Sequence, residues 1–219
     1  MTSDRWTAVD EYLVEHIGVG DETLAAAVRA SDQAGLPAIQ VTPTQGKLIH
    51  LLARSRDAKA ILELGTLGGY STIWLARALA PGGRVVTLEY EPKHAEVARA
   101  NLARAGVADR VDLRVGAALE TLPKLAAEGL RFDLTFIDAD KVSTVDYFNW
   151  ALDHSHAGSL IIVDNVVRDG AVIDPKGNSM VQGVRKLFDA LSKDDRISAT
   201  AVQTVGDKGY DGFLMAVVL

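Results

Sequence analysis

The chain predicts an α/β fold: a doubly wound, mostly parallel seven-stranded sheet that finishes on a C-terminal antiparallel strand, with extra helices at its N-terminus. Three observations carry this. From residue 60 onward, strand-length apolar runs alternate with helical stretches. The first run ends in a glycine-rich turn, and the last two runs face each other across a short loop.

Taken in order, residues 8–17 place Val9, Tyr12, Leu13 and Ile17 at helical spacing, with Glu11 and Glu15 turned away. Asp21 is suited to cap a second helix, whose face reads Leu24, Ala27, Val28 and Ser31 before Gly35-Leu36-Pro37 ends it. Thr42 caps a third helix opened by Pro43, which turns Leu48, Leu51 and Leu52 inward. Strands then read at 60–64, 84–89, 111–115, 132–137 and 159–163, and helices at 71–80, 92–105, 118–128, 142–155 and 181–192. That alternation implies right-handed crossovers with helices on both faces. Runs at 197–204 and 212–218, joined by a loop containing Val205-Gly206-Asp207-Lys208-Gly209, read as a hairpin. With no repeat, linker or low-complexity segment, residues 1–219 read as one domain: 1–55 a helical decoration, 56–219 a Rossmann-like core.

Composition excludes several functions. A net charge of −6 disfavours nucleic acid, and the basic cluster Arg54, Arg56, Lys59 is interrupted by Asp57 and too short for a groove. With no cysteine there is no thiol nucleophile and no thiolate metal site, so any metal must be held by oxygen or imidazole. No apolar run approaches the ~20 residues of a membrane span. The segment Met1-Thr2-Ser3-Asp4-Arg5-Trp6 has no signal-peptide core, so a cytoplasmic protein is expected.

The turn is the most informative stretch. Ile61-Leu62-Glu63-Leu64 runs into Gly65-Thr66-Leu67-Gly68-Gly69-Tyr70-Ser71, which suits a backbone wrapped around a small polar cofactor beyond a first strand. Glu89 ends the second run, where an acid can accept two hydrogen bonds from a ribose diol. The turn lacks G-x-G-x-x-G, and Glu63 would repel a pyrophosphate. A cationic or zwitterionic nucleoside such as S-adenosylmethionine fits better; a merely structural turn is the alternative.

Parallel sheets place ligands beyond their carboxyl ends. Four of the five parallel strand ends carry a carboxylate: Glu63, Glu89, Asp138 and Asp164. Asp138, Asp164 and Asn165 offer hard oxygen ligands suited to Mg²⁺. Lys141 follows Asp138 by three residues, and a lysine beside a metal can serve as a base. The blander reading is a loop cap at Asp138 and a turn at Asp164-Asn165. The histidines His16, His50, His94, His154 and His156 fall on helical stretches away from this rim and read as structural or exposed. Trp74, Trp150 and Tyr147 read as packing residues.

Together these residues resemble the metal-dependent class I O-methyltransferases, the group of catechol and caffeoyl-coenzyme A O-methyltransferases. The resemblance spans nearly the whole chain and is carried most specifically by Glu63 to Ser71, by Phe136-Ile137-Asp138-Ala139-Asp140-Lys141, and by Val163-Asp164-Asn165-Val166. It implies that the Val41 backbone, Glu63, Gly65, Thr66 and Ser71 surround the methionine half of S-adenosylmethionine, with Glu89 on the ribose and Ala118 beside the adenine. It further implies that Asp138, Asp164 and Asn165 hold the metal, Asp138 also lying near the cofactor's amine. Lys141 would be the general base and Tyr147 would stand near a phenolic acceptor. Thr144 departs from the tyrosine of many relatives, which opens that wall of the pocket. A homodimer is likewise what the resemblance implies. The competing readings are a dehydrogenase-type nucleotide enzyme, a metal-independent methyltransferase and a non-catalytic cofactor-binding protein.

Overall fold

A computed structural model of the protein describes residues 3–219; Met1 and Thr2, the start of the segment read for a leader, lie outside the described residues. Seven strands form one sheet in the order β3-β2-β1-β4-β5-β7-β6. The strands are β1 (Ala60–Leu64), β2 (Arg84–Glu89), β3 (Val111–Val115), β4 (Phe132–Ile137), β5 (Ser155–Asp164), β6 (Ile197–Gly206) and β7 (Gly209–Val218). The first five are parallel, while β7 runs antiparallel to both β5 and β6. The chain direction across the sheet reverses between β1 and β4, which opens a crevice beyond their carboxyl ends.

Both faces are covered, so strand side chains alternate between two apolar layers rather than between core and water. Ile61, Val85, Leu134, Phe136 and Ile162 pack with α2 (Glu22–Gln33), α3 (Pro43–Ser55), α4 (Tyr70–Ala78) and α5 (Pro92–Arg104). Leu62, Leu64, Val86, Ile137 and Val163 pack with α6 (Ala118–Ala127), α7 (Thr144–Asp153) and α8 (Ser179–Leu191). The expected caps are present: Asp21 Oδ1 accepts from Leu24 N–H at 3.0 Å, and Thr42 Oγ1 from Gln45 N–H at 3.3 Å.

Three expectations need correction. In α3 the buried face is Gly46, Ile49, His50 and Ala53, whereas Leu51 is exposed and Leu48 sits at the surface. In α1 (Ser3–Ile17) no residue is fully buried, and Val9, Tyr12, Leu13 and Ile17 form an exposed apolar stripe. Periodicity reveals that a helix has an apolar face but not what covers it. In the hairpin, pairing continues through Val205↔Tyr210 to Gly206↔Gly209, leaving only Asp207 and Lys208 at the tip. No helix among the described residues is long and apolar enough to cross a membrane.

Candidate active site

The glycine turn is shaped by what it must pass. Gly65 has φ +95°, and a Cβ there would collide with the backbone carbonyl of Asp138 at the end of β4. A Cβ on Gly68 would collide with the Ser31 hydroxyl of α2. Glycine is therefore needed to let β1 turn tightly against its neighbours. Leu67 adopts φ 50°, a conformation costly for a branched side chain. It is braced by Glu89, whose Oε2 accepts from Leu67 N–H at 2.7 Å and Thr66 N–H at 3.1 Å. Glu89 Oε1 accepts from Glu91 N–H at 2.9 Å, and His94 Nδ1 stands 3.4 Å from it. His94 therefore belongs to the rim, contrary to the sequence reading, because the first turn of α5 folds back over the end of β2.

Glu63 lies beneath the turn and is fully buried. Its carboxylate accepts from Ser71 Oγ at 2.6 Å, Thr72 Oγ1 at 2.5 Å and Thr87 Oγ1 at 2.6 Å, tying β1 to α4 and β2. Thr66 is buried beside it, its hydroxyl 2.5 Å from that of Thr87. Burial pushes the Glu63 carboxyl up from 4.5 to about 7, against the lowering effect of the three hydroxyls. A carboxyl raised on folding stabilises the fold fully below its unfolded value and loses that contribution as pH rises towards 7. Glu63→Gln should therefore flatten the fall in stability between pH 5 and pH 8, a change on the order of 3 kcal/mol at most. Denaturant unfolding of both proteins at the two pH values checks this; parallel pH dependences would refute it.

The neighbouring strand ends carry the second group. Asp138 N–H donates to Leu64 O at 2.8 Å, continuing the β1–β4 pairing to the rim, and Lys141 Nζ lies 3.0 Å from Asp138 Oδ1. Lys141 is only 6% exposed, and its carbonyl accepts from Thr144 Oγ1 at 3.0 Å. Gly183 of α8 packs against that same carbonyl, where a Cβ would not fit. Asp164 is 5% exposed, and its Oδ1 accepts from Asn165 N–H at 2.8 Å. Burial, and then the charge of Asp138, push the Asp164 carboxyl up to about 7. Asn165 has φ 57°, the left-handed region in which asparagine is tolerated.

A buried carboxylate repelled by a second one is a poor resting arrangement and a good cation site. Among the described residues no three Asp, Glu or His converge, so a metal would rely on two carboxylates and the Asn165 amide oxygen. Those hard oxygen donors fit Mg²⁺ by their chemistry.

The remaining expected residues take these places. Val41 is buried just before the Thr42 cap, and Ala118 opens α6 at the edge of the second apolar layer. Tyr147 is buried in that layer and donates to Asp140 Oδ2; burial, then Asp140, push its phenol up. Beside Asp164 and Asn165 lies a cavity of about 260 Å³, walled by Val41, Thr42, Thr44, Gln45, Phe213 and the β6–β7 tip with Lys208. The sequence reading singled out neither Lys208 nor His94 for chemistry. A turn lysine and a helix histidine carry no signal until tertiary structure places them.

Known proteins resemble this chain over nearly its whole length. The O-methyltransferase family model matches residues 15–214. A catechol O-methyltransferase of Mycobacterium tuberculosis is 52% identical over 210 residues, covering 96% of this chain and 94% of that protein. The crystal structure of an O-methyltransferase from Bacillus cereus in complex with SAH is similar with a TM-score of 0.98 and 51% identity, covering 100% of both chains. That of the O-methyltransferase TomG from Streptomyces achromogenes, in complex with SAM, has a TM-score of 0.96 and 50% identity, covering 100% of this chain and 99% of that one.

Proposed function

The chain belongs to the O-methyltransferase family and is an S-adenosylmethionine-dependent O-methyltransferase, and from that premise we propose that it methylates one hydroxyl of a vicinal diphenol beside a divalent cation, with Lys141 as general base. The observation that carries this is the Asp138–Asp164–Asn165 oxygen set with Lys141 Nζ 3.0 Å from Asp138, beside the glycine turn at the sheet's switch point. The name of the Mycobacterium tuberculosis relative supports the catechol-type acceptor. Mg²⁺ held by Asp138, Asp164 and Asn165 would supply Lewis-acid stabilisation of the acceptor's developing negative charge.

Lys141, as its neutral amine, takes the hydroxyl proton of the acceptor on Nζ and becomes the ammonium that pairs with Asp138. The freed oxygen pair forms a bond to the sulfonium methyl carbon in line as the carbon–sulfur bond breaks, and that bond's electrons stay on sulfur as a neutral thioether. The protein's share is positioning. Gly65 lets β1 pass close to Asp138, Glu89 braces the turn backbone and is the residue for the ribose hydroxyls, and Thr144 and Gly183 fix the backbone from which Lys141 extends. Val41, Glu63, Thr66, Ser71, Ala118 and Asp138 complete the proposed cofactor set, and Tyr147 with Asp140 supports the loop carrying Lys141. A homodimer is part of the same reading, supported by the exposed Val9, Tyr12, Leu13, Ile17 stripe; light scattering reads its mass directly.

A diphenol can occupy two positions on a cation where a monophenol occupies one, so kcat/KM for a catechol should exceed that of its monohydroxy analogue by about 10²-fold or more. EDTA should abolish turnover and Mg²⁺ restore it. Initial rates with both acceptors test this. Equal kcat/KM values overturn the chelation reading, and turnover indifferent to EDTA leaves a metal-independent methyltransferase.

A further inference from the structure

Lys208 stands at the two-residue tip of the β6–β7 hairpin and lines the cavity beside Asp164 and Asn165. The tip is held in place: Asp207 N–H donates to Asp10 Oδ2 at 2.8 Å, and a Cβ at Gly206 would collide with that oxygen. Lys208 Nζ reaches across to the segment before α3, where it donates to Ala38 O at 3.3 Å and to Gln40 O. An ammonium has three protons, so these carbonyls leave one donor uncommitted.

Neither partner carries a charge, and among the described residues Lys208 makes no ion pair within 4 Å. Asp207, Asp138, Asp164 and Asp32 act on it only through space. Two of those are the carboxylates assigned to the cation, and a bound cation would cancel their pull. The other acids of the cavity wall are already engaged. Asp10 takes the Asp207 amide, and Asp211 Oδ1 takes the amides of Val167, Arg168 and Gly212 at 2.9–3.0 Å. Lys208 is the one cation among the described residues that lines this space. Lys208 lies at the surface of the protein, and partial burial of its ammonium against the cavity wall pulls its pKa down.

We propose that Lys208 is a specificity-determining residue that selects acceptors bearing a carboxylate, so that the favoured substrates are aromatic diphenol acids rather than neutral catechols. This rests on the diphenol reading above. A diphenol engaged at the Asp138–Asp164 end directs its ring substituent into the cavity, where the spare Lys208 proton forms a charge-assisted hydrogen bond with the acid.

The test compares 3,4-dihydroxybenzoate with 3,4-dihydroxybenzamide, a neutral analogue of nearly the same shape, in Mg²⁺ and S-adenosylmethionine. The wild-type protein should favour the acid by about tenfold or more in kcat/KM. Lys208→Met should bring the ratio near unity, and Lys208→Arg, which keeps the charge, should retain a preference. Equilibrium binding of the acid in the presence of S-adenosylhomocysteine should weaken in the Met variant alone. The wild-type ratio needs no variant and decides even if Lys208→Met does not fold. Turnover of both compounds without preference, or a preference that survives Lys208→Met, overturns the Lys208 assignment and leaves the diphenol reading standing. Turnover of neither compound overturns both.

Discussion

Asp164→Asn is expected to cost about 10³-fold or more in kcat/KM while making the metal-free fold more resistant to denaturant above neutral pH. The two effects have one cause. Asp164 is buried beside Asp138, and burial followed by that neighbour's charge raises its carboxyl to about 7. A carboxyl raised on folding contributes stability below its unfolded value of 3.8 and loses it as pH rises through about 7. Above that the ionised group is carried at a cost, which asparagine removes with almost no change of shape. The variant's advantage should thus be absent near pH 4 and complete by pH 8. The same charge is what a divalent cation requires, and several kcal/mol of charge stabilisation correspond to the stated loss of rate. Urea unfolding in EDTA at both pH values reads the first effect. Mg²⁺ should then stabilise the wild-type protein and not the variant, because only a state that binds the ion gains from it. An Asp164→Asn protein that keeps its full rate in chelator would remove the cation from the mechanism.

How legible this site is from sequence depends on whether its parts are local. The ends of β1 to β4 are read to the residue because each is an apolar run closed by a carboxylate, a glycine or a helix start. β5 begins at Ser155, four residues before the apolar run, since Ser155 pairs with Phe132 across a register shift that polar residues conceal. Most helix ends move by one or two residues, as fraying termini do, while α1 starts five residues before the stretch at 8–17 read from its periodicity. The rim carboxylates are local, so the glycine turn, Asp138 and Asp164-Asn165 stand out by position alone. The work of Glu63 is not local. Its partners Ser71, Thr72 and Thr87 come from α4 and β2, and only the folded chain shows a carboxylate saturated from within. His94 and Lys208 are hidden for the same reason. The apolar stripes of α1 and α3 are legible as patterns but misleading as burial, because a pattern is the same whether a sheet or a second molecule covers it.

Lys141→Ala is expected to lower kcat by about 10²–10⁴-fold while leaving the affinity for S-adenosylmethionine within about twofold. Removing a general base costs that much because the hydroxyl must then lose its proton unaided. The cofactor affinity is spared because the lysine's polar partner is Asp138 Oδ1 at 3.0 Å, and the turn that would hold the nucleoside is braced separately by Glu89. One further variant separates a base from a fixed positive charge. Lys141→Arg keeps the cation but cannot give up its proton, so it should be nearly as slow as the alanine variant if Nζ accepts the proton. It should be active if the residue only supplies charge. Raising pH should rescue Lys141→Ala in part, since ionisation of the phenol in solution replaces the missing base, and should rescue the wild-type protein less. Gly183→Ala gives an independent check from the other side of the loop, because its new methyl group must displace the Lys141 carbonyl while leaving the lysine side chain itself unchanged. A fall in kcat there, with cofactor affinity kept, ties the rate to where Lys141 sits. Calorimetric binding and pH–rate profiles of the four proteins decide the matter, and a fast Lys141→Arg enzyme would reassign Lys141 from proton acceptor to electrostatic support.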